Sequence, residues 1–207
     1  MPTPTRSRDL SVFVNAALRK PGLVGAVSPS SARLAEQLSV VVPRSGRPTV
    51  VELGAGSGAV SRVVGERLPT GGRHLAVEID PTLAAHLRAA HPGLTVVCGD
   101  AARLRALLGE ERVGSADAVV GGLPWSLFAV EAQRRMLGEV AGALAPGGGF
   151  STFAYRHAAH LAGARRFRRL LDEYFDEVVT TRTVWRNVPP ALVYVCRRPR
   201  VPGPAAG

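Results

Sequence analysis

The feature that most constrains this chain is an apolar run that ends in a turn of alternating glycines. Residues 49–53 predict a buried strand of a parallel sheet, and the turn Gly54-Ala55-Gly56-Ser57-Gly58 follows at once. A helical pattern then extends over residues 57–68. A strand that enters a glycine turn and then a helix presents backbone N–H groups and a helix N-terminus to a ligand. The turn therefore predicts a nucleoside-cofactor site, with contacts at Gly54, Ala55, Gly56 and Gly58.

Two further strand-like runs end in acidic residues that suit the same ligand. Residues 75–80 predict a second strand, and Glu78 lies twenty residues after Gly58, where a carboxylate can bind both hydroxyls of a ribose. Residues 96–100 predict a third strand, whose terminal Asp100 can accept a hydrogen bond from an adenine amino group. The predicted cofactor contacts on these strands are Glu78, Ile79, Asp100 and Ala101.

The acidic residue just before the turn favours one cofactor over another. Glu52 would repel a pyrophosphate group and attract an α-ammonium group. The three acids Glu52, Glu78 and Asp100 at successive strand ends therefore favour S-adenosylmethionine. Residues 54–59 also satisfy the G-x-G-x-x-A pattern of dinucleotide sites, so NAD remains an alternative. A doubly wound sheet with an incidental glycine turn is the remaining structural interpretation.

The composition indicates a globular and basic protein. The 207 residues carry a formal net charge of +10 and are 46% hydrophobic. A basic surface suits nucleic acid or an anionic membrane and disfavours a cationic macromolecular partner. Cys98 and Cys196 lie in apolar runs without a Cys/His cluster, which predicts a reducing cytoplasm and no metal site. No apolar run reaches the ~18 residues of a membrane-spanning helix.

The segment before the glycine turn predicts two helices. Residues 8–20 form an amphipathic pattern flanked by basic residues, which fits either a helix packed on the domain or an interfacial helix on a membrane. A second helix is expected over residues 31–42, with Ser28 or Ser30 as its N-cap. Ser30 and Ser31 at that N-terminus could hold the cofactor's carboxylate. The predicted divisions are an N-terminal helical cap at 1–44, a cofactor-binding domain at 45–199 and a flexible tail at 200–207.

The second half of the chain predicts the rest of an α/β fold. Further strands are expected at 116–121, 150–155, 177–186 and 191–197, and helices at 101–108, 130–144 and 157–175. The motif Gly122-Leu123-Pro124-Trp125 follows the fourth strand, where a substrate would meet the cofactor. The predicted architecture is Rossmann-like, with a seven-stranded, mostly parallel sheet, antiparallel last strands, helices on both faces and an N-terminal helical extension.

A longer motif narrows the choice among protein families. Residues 20–35, which read KPGLVGAVSPSSARLA, resemble the N-terminal segment of bacterial phospholipid N-methyltransferases of the phosphatidylethanolamine N-methyltransferase type. Gly122-Leu123-Pro124 and Phe153-Ala154-Tyr155 resemble that family as well, although Trp125 departs from the smaller apolar residue expected there. The resemblance implies a class I S-adenosylmethionine-dependent enzyme that methylates a phospholipid head group. It also implies a cytoplasmic protein associated peripherally with an anionic membrane at its inner face.

If the acceptor is phosphatidylethanolamine, the order of residues along the chain suggests candidates for roles on the acceptor side. Tyr155 and His157 are candidates for proton transfer, and Trp125 or Tyr155 for a π face against a methylated cation. Gly122 and Leu123 are expected beside the cofactor. A more distant resemblance to ribosomal RNA adenine dimethyltransferases is weakened by Gly122, which lacks the Asn or Asp side chain that holds an exocyclic amine.

Several functional alternatives remain open at this point. They are a methyltransferase for a soluble small molecule, an RNA methyltransferase and a non-catalytic cofactor-binding module. The arginines at 165–169 fit either a solvated helix face or a second contact with membrane phosphates. The sequence carries no signal for the oligomeric state.

Overall fold

Short apolar runs separated by amphipathic helices build one sheet in this protein. The computed structural model describes residues 31–200. Its strands are β1 (Thr49–Leu53), β2 (Arg73–Glu78), β3 (Thr95–Cys98), β4 (Ala116–Gly121), β5 (Leu144–Tyr155), β6 (Phe175–Thr180) and β7 (Ala191–Pro199). Its α-helices are α1 (Ala32–Leu38), α2 (Ala59–Arg67), α3 (Pro81–Ala90), α4 (Leu104–Glu110), α5 (Val130–Ala143) and α6 (Ala162–Tyr174).

The order of the strands decides where a ligand can bind. The seven-stranded sheet has the order β3-β2-β1-β4-β5-β7-β6. Strands β1 to β5 are parallel, whereas β7 lies antiparallel between β5 and β6. The order reverses at β1, which pairs with β2 on one side and with β4 on the other. A crevice forms beyond the carboxyl ends of the strands at such a switch point. The predicted Rossmann-like, mostly parallel sheet is confirmed.

Side-chain alternation along the strands divides the apolar interior between the two faces of the sheet. Val51 and Leu53 pack with α4, α5 and α6 on one face. Val50 packs with α1 and α2 on the other face. Because both faces are covered, β1 is buried from Val50 to Leu53. A nearly continuous apolar run is what a central parallel strand requires.

Helix α1 is part of this interior. Leu34, Ala35 and Leu38 are buried against α2 and the sheet. The Ser151 hydroxyl of β5 also donates a hydrogen bond to the Leu38 carbonyl at 2.6 Å. The N-terminal cap predicted over residues 1–44 includes this helix, and the described part of that segment packs on the sheet.

The N-terminus of α1 differs from the expected cap. Ser31 is its N-cap, and the Ser31 hydroxyl accepts the Leu34 N–H at 3.3 Å. Ser28, Ser30, the helix predicted at 8–20 and the tail from residue 201 lie outside the described residues. None of the helices between residues 31 and 200 is both long and apolar enough to cross a membrane.

The last helix and the last strand pair also begin and end at other residues than predicted. The helix expected at 157–175 starts at Ala162, after a 3₁₀ turn at Arg156–Ala158. The strand expected at 177–186 ends at Thr180. The Thr181 hydroxyl accepts the Val193 N–H at 3.0 Å, so a side chain takes part in the pairing at this point. Residues 181–190 consequently form a connection between β6 and β7.

We expect Leu38→Ala to lower the free energy of unfolding by about 2–5 kcal/mol, because Leu38 is fully buried. Val40→Ala is the matched control, since Val40 is 46% exposed and its truncation should change stability by only about 0.5 kcal/mol. Urea unfolding followed by circular dichroism measures both variants. Equal losses would contradict the integration of α1 into the domain.

Candidate active site

The turn after β1 is shaped by three glycines in the left-handed region. The φ angles are +68° at Gly54, +57° at Gly56 and +85° at Gly58, a conformation that costs other residues about 1–2 kcal/mol. The Gly54 N–H donates to the Val77 carbonyl at 2.9 Å, which ties the turn to β2. A Cβ on Gly56 would meet no atom within 4 Å, so the chain there borders open space. The turn therefore has the accessible backbone of a ligand-binding loop.

Glu78 is the buried polar group that supports this turn. Its Oε2 accepts the Gly56 N–H at 2.9 Å, and its Oε1 accepts the Asp80 N–H at 3.0 Å. A carboxylate offers about four lone-pair positions, so each oxygen keeps one for a ligand hydroxyl. Asp80 has a different task, because its side chain caps α3 at the Thr82 and Leu83 N–H groups. Glu78 can thus accept hydrogen bonds from two neighbouring hydroxyls.

Asp100 lies at the same end of the sheet, directly after β3. Its Oδ1 accepts the Ala102 N–H at 2.8 Å, which leaves the second oxygen for a ligand donor. The Gly99 N–H donates to the Glu78 carbonyl at 3.0 Å, so β2 and β3 end at one level. Glu78 and Asp100 consequently line the same cleft.

This cleft encloses about 540 Å³, including its open mouth. Its lining combines two carboxylates and glycine backbone with apolar side chains. The lining residues are Gly54, Gly56, Val77, Glu78, Ile79, Gly99, Asp100, Ala101, Gly122, Leu123, Pro124, Phe128 and Met136. Such a surface can hold an apolar ring system joined to a group that carries hydroxyls.

Glu52 does not line the cleft, in contrast to the expectation from its place before the turn. Its Oε2 lies 3.2 Å from the His74 Nε2, and both side chains are buried. The physical reason is strand alternation. Glu52 and Val50 lie on the same face of the sheet, whereas Val51 and Leu53 lie on the other face. The geometry therefore does not place Glu52 in direct contact with an ammonium group bound in the cleft.

Two residues of the glycine turn also face away from the cleft. Ala55 packs against Ala76 and Leu87 under the turn. Gly58 has a φ of +85°, which favours glycine at the start of α2, and a Cβ there would also lie 2.4 Å from the His91 Nε2. Both residues shape the turn and are not part of the cleft lining.

The serines predicted to hold the cofactor's carboxylate are not part of the cleft lining either. The Ser31 N–H donates to the Asn187 Oδ1 at 3.0 Å, and its hydroxyl caps α1. Ser30 lies outside the described residues. Among residues 31–200, no group of three or more His, Cys, Asp or Glu side chains is arranged to hold a metal ion.

Gly122 is a glycine for a steric reason that the sequence did not reveal. A Cβ at this position would lie 2.7 Å from the Gly54 carbonyl oxygen. The Gly122 N–H also donates to the Leu53 carbonyl at 2.8 Å, which holds the two loops together. With this backbone, no side chain fits after β4, so a group that positions the acceptor must come from another element.

A second cavity adjoins the cleft on the acceptor side. Leu123 and Pro124 line both spaces. Tyr155 and the aromatic ring of Phe153 contribute to its wall, and the two rings meet edge to face at 5.1 Å. Its lining residues are Leu123, Pro124, Trp125, Ser126, Phe153, Ala154, Tyr155, Ala158, Ala164 and Phe167. An apolar cavity with aromatic side chains in its wall therefore lies next to the cleft.

Trp125 serves mainly as a core residue. Its indole is only 2% exposed and stacks on Phe167 with ring centroids 4.6 Å apart. The indole N–H donates to the Thr152 hydroxyl at 2.7 Å. Because one ring face and the N–H are already occupied, Trp125 is poorly placed for the predicted π contact with a cation. This explains the departure from the smaller residue expected here, since the ring fills space above Phe150 and Phe167.

Tyr155 and His157 lie together at the rim of the second cavity. Their rings stack with centroids 5.7 Å apart, and His157 is exposed. Burial raises the pKa of the Tyr155 phenol above its usual value of 10.0. The phenol is therefore protonated near neutral pH and can form hydrogen bonds, whereas it is a poor proton acceptor there.

Some lining residues were not singled out from the sequence. Phe128 and Met136 close one side of the cleft, and Ala164 and Phe167 close the second cavity. Met136 and Phe167 belong to apolar helix stripes that look like ordinary core. No sequence pattern separates a buried helix residue that touches a ligand from one that touches the sheet.

Comparison with known proteins identifies the family. A methyltransferase-domain family model matches residues 50–148. The chain is 33% identical over 193 residues to an ornithine lipid N-methyltransferase from Singulisphaera acidiphila, and the match covers 92% of this chain and 96% of that protein. The chain belongs to the class I S-adenosylmethionine-dependent methyltransferases.

Solved structures of methyltransferases share the fold. The N-methyltransferase NodS from Bradyrhizobium japonicum WM9, bound to S-adenosyl-L-homocysteine, has a TM-score of 0.66 at 16% identity, with 91% of this chain and 99% of that chain covered. An O-methyltransferase from Bacillus cereus, also bound to S-adenosyl-L-homocysteine, has a TM-score of 0.62 at 16% identity, with coverages of 95% and 92%.

This methyltransferase uses S-adenosylmethionine, and the cleft fits that cofactor. We expect Glu78 to bind the ribose hydroxyls and Asp100 the adenine amino group. Ile79 and Phe128 offer the apolar walls that an adenine ring needs. The open space at Gly56 leaves room for the methionine end to approach the backbone.

We expect Glu78→Gln to weaken S-adenosyl-L-homocysteine binding about 10- to 100-fold, because each hydrogen bond to a charged acceptor contributes about 1.5–3 kcal/mol. Glutamine keeps the shape of the side chain, but its amide NH₂ cannot accept a hydrogen bond, so one of the two contacts with the Gly56 and Asp80 N–H groups is lost as well. Glu66→Gln, at an exposed residue paired with Arg62, is the control. Titration calorimetry measures both affinities, and an unchanged affinity in Glu78→Gln would remove Glu78 from the ribose site.

Proposed function

We propose that this methyltransferase transfers methyl groups to the primary amine of a membrane lipid. Phosphatidylethanolamine is the expected acceptor, and successive transfers would lead toward phosphatidylcholine. The observation that carries the proposal is the apolar second cavity beside the cofactor cleft. Because Leu123 and Pro124 line both spaces, an amine in the second cavity lies close to the cofactor cleft.

The chemistry of the second cavity supports an amine acceptor. None of its described lining residues carries a charged side chain. Such a lining disfavours a charged ammonium and favours the neutral amine that can attack a methyl group. The Tyr155 ring also offers a π face to a methylated, cationic product, a contact that contributes about 0.5–2 kcal/mol.

The comparison supports a lipid as the acceptor. The Singulisphaera relative is named as an ornithine lipid N-methyltransferase and aligns with 92% of this chain. The aligned part therefore includes both the cofactor cleft and the second cavity. Ornithine lipid is accordingly the second acceptor to test after phosphatidylethanolamine.

The chain must also handle the proton that the ammonium loses. S-adenosylmethionine, when bound, supplies an electrophilic methyl group, so the protein's task is mainly to position the amine and exclude water. The neutral Tyr155 phenol oxygen can accept a hydrogen bond from an N–H of the head-group amine, which leaves the nitrogen lone pair free to attack the methyl group. His157 stacks on Tyr155 at the exposed rim and can pass a proton to solvent.

We also propose that the enzyme associates peripherally with the inner face of the cytoplasmic membrane. The net charge of +10 supports attraction to anionic lipids. Not every arginine of α6 is available for this, because Arg168 pairs with Asp172 at 2.6 Å and lies over the Tyr194 ring. Arg169 on the same helix is exposed.

Product analysis tests the proposed acceptor directly. Purified protein is incubated with methyl-labelled S-adenosylmethionine and vesicles that contain phosphatidylethanolamine, ornithine lipid or neither amine. We expect label in N-methylated phosphatidylethanolamine and none in vesicles without an amine, because the neutral amine is the nucleophile. Thin-layer chromatography separates the products, and Glu78→Gln, assayed at a limiting cofactor concentration, serves as the control with weakened cofactor binding.

Other labelled products would indicate a different acceptor. Label in ornithine lipid alone would replace the expected acceptor within the same lipid class. Label in added RNA or in a soluble amine, with none in either lipid, would contradict a lipid methyltransferase.

We expect Tyr155→Phe to lower kcat/KM for lipid methylation about 10-fold, because it removes the phenol hydrogen bond and keeps the ring. Tyr155→Ala should lower kcat/KM about 100-fold relative to the wild-type protein, since the π face is also lost. The raised pKa of Tyr155 places its ionisation above pH 10, so the pH–rate profile between pH 6 and 9 should keep its shape in Tyr155→Phe.

Tyr174→Phe is the control for this series, because the Tyr174 hydroxyl donates to the Arg134 carbonyl away from both cavities. Steady-state kinetics over the pH range provide the readout. A changed limb of the profile in Tyr155→Phe would show that the phenol titrates in that range and would contradict its assignment as a neutral group.

A further inference from the structure

The connection between β6 and β7 exposes large apolar side chains. Within residues 181–190, Trp185 is 66% exposed and Val188 is 74% exposed. Leu161, the N-cap residue of α6, is 46% exposed as well. Tryptophan is enriched at membrane interfaces, since an indole combines an apolar body with a polar N–H group.

Basic side chains surround these apolar residues. The Arg156 guanidinium lies 5.2 Å from the centre of the Trp185 ring. Arg182 and Arg186 flank Trp185 in the connection and are exposed. No acidic residue occurs between residues 140 and 171 or between residues 178 and 207, so neither segment contains a carboxylate to neutralise these arginines. Exposed apolar side chains beside arginines, on segments without acidic side chains, match an interface that carries anionic phosphates.

This surface adjoins the acceptor cavity. The Arg156 N–H donates to the Pro190 carbonyl at 2.8 Å, which joins the connection to the end of β5. Tyr155 of the cavity wall pairs with Ala191, the first residue of β7. A head group that enters from this surface would therefore meet Tyr155 first.

The connection is held in place by its own hydrogen bonds. Asn187 is buried, its Oδ1 accepts the Ser31 N–H at 3.0 Å, and its Nδ2 donates to the Pro189 carbonyl at 2.7 Å. Val184 forms a bridge with Ala191. With its base anchored at Asn187 and Val184, the connection presents Trp185 and Val188 on a defined tip.

We propose that residues 181–190 form a membrane-docking loop that inserts Trp185 and Val188 at the lipid interface while Arg156, Arg182 and Arg186 contact lipid phosphates. This inference rests on the proposed lipid acceptor and deepens it. The loop would bring the acceptor cavity down onto the bilayer, so that a head group enters without leaving the membrane surface.

Tryptophan fluorescence of the full chain tests the insertion. The protein has two tryptophans, of which Trp125 is buried and Trp185 exposed. With vesicles of 70% phosphatidylcholine and 30% phosphatidylglycerol, we expect a blue shift of the emission and quenching by brominated phosphatidylcholine. Both effects should disappear in Trp185→Phe, which keeps Trp125. Unchanged emission of the wild-type protein on vesicles would overturn the proposal.

Vesicle co-sedimentation measures the contribution of the tip to binding. We expect the double variant Trp185→Ser/Val188→Ser to bind the same vesicles at least ~10-fold more weakly, because two apolar side chains leave the interface. Val40→Ser, which replaces an exposed apolar residue on another element, is the matched control. Equal binding by all three proteins would overturn the proposal.

Two further outcomes would assign the surface to another occupant. If Trp185 in the full chain without vesicles resists acrylamide quenching, another segment of the chain or a second copy covers it. If RNA shifts the Trp185 emission and vesicles do not, the loop binds nucleic acid. Either result would overturn membrane docking.

Methylation of a short-chain phosphatidylethanolamine, supplied as a monomer below its micelle concentration, separates this inference from the proposed function. We expect Trp185→Ser/Val188→Ser to methylate the monomer at the wild-type rate. Its rate of methylation on vesicles should fall at least ~10-fold. If wild-type protein methylates neither form, the proposed acceptor fails, whereas the fluorescence result still decides membrane docking.

Discussion

The site depends on one buried carboxylate. Glu78 accepts hydrogen bonds from the Gly56 and Asp80 N–H groups, so it joins the turn after β1 to the end of β2. A buried charge is stable only when hydrogen bonds satisfy it, and here the backbone supplies them. The same arrangement leaves a lone pair on each oxygen for a ligand. Glu78 therefore holds the turn in its binding shape and can also bind the cofactor that the turn surrounds.

Much of the fold could be predicted because its signals are local. The apolar run at Thr49–Leu53 ends in glycines that need positive φ, and this pattern fixed the first strand and its turn. The spacing from Gly58 to Glu78 then identified the acid at the next strand end. In a parallel sheet the carboxyl ends of neighbouring strands meet at one edge, which is why Glu78 and Asp100 could be assigned to one cleft from spacing alone.

Contacts that only packing decides could not be predicted from the sequence. Glu52 is near the turn in sequence, but strand alternation directs it to His74. Trp125 follows the fourth strand as an acceptor residue would, yet Phe167, more than forty positions later, covers its ring. Gly122 was interpreted through the side chain that it lacks, whereas its cause is the Gly54 carbonyl on another loop. In each case the deciding partner is distant in sequence, so no local pattern contains it.

The topology explains why the acceptor side and the exposed loop lie at the same edge. Strands β4 and β5 are parallel, so Gly121 and Tyr155 both end at the cofactor edge of the sheet. Strand β7 runs antiparallel to β5, and Ala191 at its start pairs with Tyr155. The connection that precedes β7 must therefore emerge beside the acceptor cavity. Arginines and apolar residues in that connection are brought to the cavity rim by strand direction alone, and a surface that binds there also orients the cavity toward its substrate.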